Sequence, residues 1–266
     1  MPAVKKSADT ARPLVGVLAL QGGVEEHIAV LESLGAATRR VRLQQDLDGL
    51  DGIILPGGES STIDKLARSF GVAEPLRRAV DGGLPVLATC AGLIYSAREL
   101  ENPAPGQQTL GLIDVTVRRN AFGNQRFSEE RVVPVALQGQ RPDVETSEVG
   151  PRRTESRDTE TNGEGPGSIT LDIEASFIRA PIVTRVGEGV EVIATVPLPA
   201  PDTAAGGETS SKAGAAQSDR ASDGGAGRPG EVIVGVRQGY VTALSFHPEE
   251  NGDSRLHAAW LATFVH

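Results

Sequence analysis

The chain has 266 residues with 35 acidic and 26 basic side chains, and its formal charge of −9 argues against nucleic acid as the main partner, because phosphate recognition wants a basic face. A single cysteine excludes a disulfide framework within the chain and suits a reducing compartment, and the four histidines (27, 247, 257 and 266) offer no metal-ligand spacing. No apolar segment follows Lys5 and Lys6, and no other run is long and apolar enough to span a bilayer, so the expectation is a cytoplasmic protein with no membrane contact, no metal and no cofactor.

Residues 1–13 read as a disordered tail and 14–266 as one domain. Leu14–Leu20 is a continuous apolar run, hence a buried strand; Gln21-Gly22-Gly23 turns the chain, and Val24–Leu34 carries Val24, Ile28, Leu31 and Leu34 at helical spacing. Ala37–Leu43 and Asp51–Pro56 are the next strands. The second of these ends in Gly57-Gly58-Glu59-Ser60-Ser61-Thr62, where Ser60 or Ser61 is placed to cap a helix over Ile63–Phe70. A helix at Ala73–Val80 leads to a strand at Pro85–Ala88, and Gly92–Leu100 reads as a helix with Leu93, Ile94, Ala97 and Leu100 on one face. Strand segments follow at Thr109–Arg119, Arg131–Leu137, Ile169–Arg185, Val190–Val196, Glu231–Arg237 and Tyr240–Phe246, and a helix at Ser254–Val265 ends the chain.

Two stretches break this rhythm. Residues 139–168 hold seven acids and four bases with no period, and 197–230 is rich in Ala, Gly, Ser and Asp. Neither can bury enough apolar surface to offset its ordering entropy, so both read as disordered inserts between strands, expected to loop away from the crevice. Without them and the tail, 189 residues remain, the size of one domain. Strands alternating with helices at this spacing imply an α/β fold: an open, mostly parallel twisted sheet with helices on both faces. Ligands of such sheets bind at the carboxyl ends of the strands, where Gly22, Gly57 and Cys90 all fall.

Cys90 sits at a strand-to-helix joint with Ala88, Ala91 and Gly92 around it, small residues that let the backbone bend sharply. A lone cysteine there packs as a small hydrophobe about as often as it serves as a nucleophile. Far downstream, His247 and Glu249 sit two residues apart, a spacing that points both side chains of a strand the same way, so that the carboxylate can hold the imidazole in one tautomer. The glycines at 57 and 58 let backbone N–H groups approach a ligand; no Lys follows them, so they do not form a phosphate loop. A tight turn with a helix cap, and a solvated loop histidine beside an acid, are the ordinary alternatives.

Taken together, Leu-Pro-Gly-Gly-Glu-Ser (55–60), Thr-Cys-Ala-Gly-Leu (89–93) and Phe-His-Pro-Glu (246–249) resemble a class I glutamine amidotransferase. Gly-Val-Leu-Ala-Leu-Gln-Gly (16–22), Glu26-His27, Arg119-Asn120, Phe122-Gly123 and Phe177-Ile-Arg-Ala-Pro181 narrow the resemblance to the glutaminase subunits of pyridoxal 5'-phosphate synthases, over almost the whole 189-residue core. The resemblance implies Cys90 as nucleophile, His247 as acid and base, and Glu249 as orienting carboxylate. It implies a glutamine pocket of Gly58, Glu59, Ser60, Arg119, Ile178 and Arg179, with Arg119 favoured over Arg118 by the Arg-Asn motif alone. The backbone of Gly57, Gly58 and Ala91 would form the oxyanion hole, and the Gly57–Gly58 peptide, free to flip, would set activity. Asn124 stands where the family has a further Arg.

The implied partners are L-glutamine and a barrel-shaped synthase subunit that takes the ammonia, with the helix holding His27 as its docking surface. Two rival readings are an elbow-cysteine hydrolase or redox-sensing protein of a related fold, and a catalytically silent partner subunit. The first has no use for Glu59, Arg119 or the His-Pro-Glu segment; the second would release no ammonia.

Overall fold

In the computed structural model of the chain the described residues are 12–122, 129–138, 168–177, 179–197 and 230–265. The elements are β1 (Leu14–Leu18), α1 (Val24–Ser33), β2 (Ala37–Val41), β3 (Gly52–Leu55), α2 (Ser60–Ser69), α3 (Ala73–Asp81), β4 (Val86–Thr89), α4 (Ala91–Ser96) and β5 (Ala97–Leu100). They continue as β6 (Ile113–Arg118), β7 (Glu129–Gln138), β8 (Ser168–Phe177), β9 (Ile182–Val186), β10 (Glu191–Pro197), β11 (Glu231–Gln238), β12 (Val241–Leu244), a 3-10 turn (Pro248–Asn251) and α5 (Arg255–Leu261).

The strands order as β2-β1-β3-β4-β12-β11-β9-β6-β5, with β10 on β11 and a separate β7–β8 hairpin. Neighbours from β2 to β12 are parallel, and β3, β4 and β12 are buried along their whole length, the pattern of strands covered on both faces. Beyond β12 the sheet turns antiparallel through β11, β9 and β6. Helices α1 and α5 and the β7–β8 hairpin share one hydrophobic cluster, and α2, α3 and α4 the other, so the sheet is covered on both sides. Val24, Ile28 and Leu31 face inward as the periodicity predicts.

Four local expectations need correction. The helix after Cys90 ends at Ser96, because Ala97–Leu100 pairs in parallel with β6, and that tertiary pairing overrides the helical spacing. The cap of α2 is Glu59, whose carboxylate accepts the Ser61 N–H at 3.3 Å, and not a serine. The segment from Thr109 enters its strand only at Ile113. Ile169–Arg185 divides into β8 and β9 around Pro181, which has no N–H to give to a ladder. The tail up to residue 11 and nearly all of both inserts lie outside the described residues.

Their points of attachment differ. The first insert joins Gln138 to Ser168, the end of the hairpin opposite Glu129 and Phe177; nine residues at about 3.3 Å each put it about 30 Å from the Phe177 end. The second joins Pro197 to Glu231, and Gly235 stands opposite Leu244, so Glu231 lies beyond the carboxyl end of β12. That is the rim the sequence assigns to the chemistry; whether this insert then loops away from the crevice falls on residues outside the described ones.

Candidate active site

β4 delivers Cys90 onto a bend that few L-residues adopt, with φ 46° and ψ −101°. Such a backbone costs about 1–3 kcal/mol and persists only where its surroundings fix it. Here the Cys90 N–H donates to the Leu244 carbonyl at 2.8 Å, and the Cys90 carbonyl accepts from Ile94 at 3.3 Å. Gly92 explains the small neighbours: a Cβ there would stand 2.0 Å from the Leu55 carbonyl oxygen, so any larger residue would push α4 off β3. Cys90 is 7% exposed.

His247 arrives from the adjacent strand. Leu244 pairs with Thr89, so β12 and β4 leave the sheet side by side, and the 156 residues between Cys90 and His247 vanish in space. Buried Phe246 stacks on Phe177 with ring centroids 5.5 Å apart, and the His247 N–H donates to Ser176 at 3.3 Å. The period-two argument is corrected in its reason. His247 caps a 3-10 turn with Pro248 at its start, and this turn, not a strand, brings Glu249 Oε1 to 2.8 Å from His247 Nδ1. Burial opposes charge on His247, but hydrogen bonds to Cys90 and Glu249, with the negative charge of each, push its pKa up to about 11. The imidazole is thus hydrogen-bonded to the carboxylate and within electrostatic reach of the sulfur, an arrangement that suits a nucleophile, base and orienting acid.

The loop after β3 closes the site. A Cβ on Gly57 would lie 2.0 Å from His247 Cε1, and Gly58 has φ 152°. The Gly57 carbonyl accepts the Gly23 N–H at 3.2 Å, and a Cβ on Gly22 would lie 1.7 Å from that same oxygen. Gln21 Oε1 accepts the Glu59 N–H at 2.6 Å. Ala91 is the first residue of α4, where helix geometry leaves the amide without an intrahelical acceptor.

Arg119, not Arg118, turns toward this loop. Its Nη2 lies 3.2 Å from Glu59 Oε1, whereas Arg118 pairs with Glu101 on the exposed side of β6. Two residues that sequence reasoning passed over hold Arg119. Gln107 accepts from its Nη1 at 2.9 Å and donates to Ser60 Oγ at 3.0 Å, and Asn102 bonds both its backbone N–H and its carbonyl. Arg179, exposed and with φ 49°, lines a crevice of about 440 Å³ together with Gln21, Gly57, Gly58, Glu59, Cys90, His247 and Glu249. Ile178 and Asn124 lie outside the described residues. A second cavity, about 390 Å³, opens at the far end of β4 and β12 between Pro85, Tyr240, Trp260 and Phe264, and no cysteine, histidine or carboxylate lines it.

His27 is fully buried, and the exposed residues of α1 beside it are Glu25, Glu26 and Ala29. Its ring lies behind Glu249, with Nε2 3.4 Å from Glu249 Oε1. The Glu26-His27 pair was visible in the sequence, but nothing local marked the histidine as buried. No described helix is long and apolar enough to cross a membrane.

The chain resembles known proteins over most of its length. Residues 17–141 match the SNO glutamine amidotransferase family. The chain is 50% identical to the pyridoxal 5'-phosphate synthase subunit PdxT of Corynebacterium glutamicum, over 93% of this chain and 94% of that protein. It is 51% identical to the PdxT subunit of Cutibacterium acnes, over 94% of this chain and 96% of the relative. A crystal structure of a glutamine amidotransferase superimposes with a TM-score of 0.63 at 37% identity, covering 93% of this chain and 96% of its own. The strained cysteine, the imidazole from the next strand and the glycine loop over both are thus set in a sequence close to those relatives throughout: the chain belongs to the SNO glutamine amidotransferase family.

Proposed function

We propose that this chain is the glutaminase subunit of a pyridoxal 5'-phosphate synthase, hydrolysing L-glutamine to glutamate and ammonia and passing the ammonia to a barrel-shaped synthase subunit. The observation that carries this is the Cys90–His247–Glu249 line opening on a crevice beside a Glu59–Arg119 pair. An α-amino acid presents an ammonium and a carboxylate together, and an acid beside a guanidinium offers the matching charges in reverse.

Cys90 Sγ attacks the side-chain amide carbon of glutamine, and the C=O electron pair moves onto oxygen. The N–H groups of Ala91 and of the Gly57–Gly58 loop are the donors available to that oxyanion, and one such donor is worth about 10²–10³ in rate. His247 then gives its proton to the leaving nitrogen, ammonia departs, and a thioester remains. His247 next takes a proton from water, the hydroxide adds to the thioester carbon, and collapse returns the thiol and releases glutamate. Glu249 stays ionised and holds Nδ1–H, so that Nε2 does the proton transfer. Gly58, Glu59, Ser60, Arg119 and Arg179 form the glutamine pocket, and Ile178 is assigned to it from the sequence resemblance alone. The exposed acids of α1 offer a docking face for the synthase subunit.

The test is Cys90→Ala. Ammonia release from glutamine, measured with synthase subunit present, falls to background, while synthesis of pyridoxal phosphate from added ammonia continues. Retention of glutaminase activity overturns the assignment, and loss of ammonia-driven synthesis assigns Cys90 a different role.

A further inference from the structure

Behind the catalytic line lie two histidines that the proposed mechanism leaves idle. His27 on α1 and His257 on α5 are both fully buried. Their rings are joined by a 2.9 Å contact between His27 Nδ1 and His257 Nε2. On its other side His27 Nε2 lies 3.1 Å from Thr89 Oγ1, one residue before the nucleophile, and 3.4 Å from the Glu249 oxygen that holds His247. The titratable groups facing His27 are thus His257 and Glu249, with His247 beyond.

One proton arrangement gives every neighbour of His27 a matching role. A carboxylate oxygen accepts and never donates, so a hydrogen on His27 Nε2 serves both Thr89 Oγ1 at 3.1 Å and Glu249 Oε1 at 3.4 Å as acceptors. His27 Nδ1 is then a bare lone pair, which must accept from His257 Nε2–H. His257 Nδ1 is left as the acceptor without a partner, and it is the one nitrogen of the pair with no hydrogen bond among the described residues. The opposite arrangement, with the Thr89 hydroxyl donating to Nε2, would aim a lone pair at Glu249 and bury an unpaired N–H on His257.

We propose that His27 and His257 form a fixed-tautomer relay that positions Glu249: neutral His27 donates Nε2–H to the Glu249 carboxylate and is itself locked by the Nε2–H of His257. This rests on the triad reading above. His27 touches neither substrate nor the reacting atoms, so it is a positioning residue.

The experiment pairs kinetics of the complex with imidazole 15N NMR of the free full-length chain. In the wild type, His27 and His257 should each give the neutral Nε2–H pattern at pH 7; an Nδ1–H form or an imidazolium at His27 overturns the relay whether or not any variant folds. His27→Leu should lower kcat by about 10- to 100-fold with KM for glutamine within about twofold, the behaviour of a lost outer partner that acts on the transition state alone. His27→Gln, whose amide N–H sits near the place of Nε2, should restore most of the rate, and His257→Gln should fall between. Equal damage from Leu and Gln at 27 would mean packing and sink the relay. So would a wild-type rate for His27→Leu, provided Cys90→Ala and His247→Asn are inactive; if those two stay active, it is the triad reading that falls.

Discussion

Gly57→Ala isolates a single distance. Gly57 does not sit in the left-handed region, so alanine is compatible with its backbone and the only obstacle is His247. The added Cβ would stand 2.0 Å from Cε1, 2.8 Å from Nδ1 and 3.0 Å from Nε2, whereas real Cβ contacts essentially never fall under 3.0 Å. The ring must therefore retreat by about 1 Å, a misplacement that costs about 10²-fold in rate when it strikes reacting groups, or about 2.7 kcal/mol of barrier. Retreat also stretches the 2.8 Å bond to Glu249. Ammonia release from glutamine, assayed with synthase subunit present, should fall by that factor in kcat. Gly35→Ala is the control: φ is +81° with nothing within 4 Å, so it strains the backbone and lowers stability without touching the site. Gly57→Ala activity within about threefold of wild type would refute the claim that imidazole position limits catalysis here.

Other expectations follow from the same geometry. Gln107→Ala releases both Arg119 and Ser60, and the loss of hydrogen bonds worth about 1 kcal/mol each should raise KM for glutamine by about five- to tenfold with kcat little changed, read from initial rates. Burial holds His257 at a pKa of about 4 despite the opposing pull of Asp253, below its ordinary 6.5. The unfolded chain takes up a proton that the folded chain refuses, so stability is lost as pH falls from about 6.5 towards 4. In urea titrations across that window, His257→Gln should show a shallower acid slope than wild type, and an unchanged slope would count against the depressed value.

Much of this site could be read from the sequence because its motifs are short and local. The Cys90 elbow is the consequence of a tight backbone turn, and tight turns restrict residue choice at fixed positions. The glycines at 57 and 92 stand out in the sequence, although what requires them, the His247 ring and the Leu55 carbonyl, lies elsewhere in the chain. Where sequence reasoning went wrong, a distant contact decided the outcome. Ala97–Leu100 carries helical spacing yet pairs with β6, and the buried place of His27 depends on His257, 230 residues later. Gln107 and Asn102 lie in a loop with no motif, and only their bonds to Arg119 give them a part. The attachment of the second insert at the active rim could not be read locally either, because it follows from β11 running antiparallel to β12.

That site could not have been built from the same residues in a different strand order. β3, β4 and β12 are consecutive neighbours, and they end in the glycine loop, Cys90 and His247 respectively, the last two being the nucleophile and the base of the proposed mechanism. Strands sit about 4.8 Å apart, so the loop and the base start about 10 Å from each other across the end of β4. Yet the position of a Gly57 Cβ is 2.0 Å from the His247 ring, which means that both lean inward and meet over Cys90. The cysteine's strained backbone is held from the same side, by the Leu244 carbonyl three residues before His247. Nucleophile and base are thus tied to one strand end, and a shift of β12 against β4 would carry the imidazole away and loosen the elbow in the same movement.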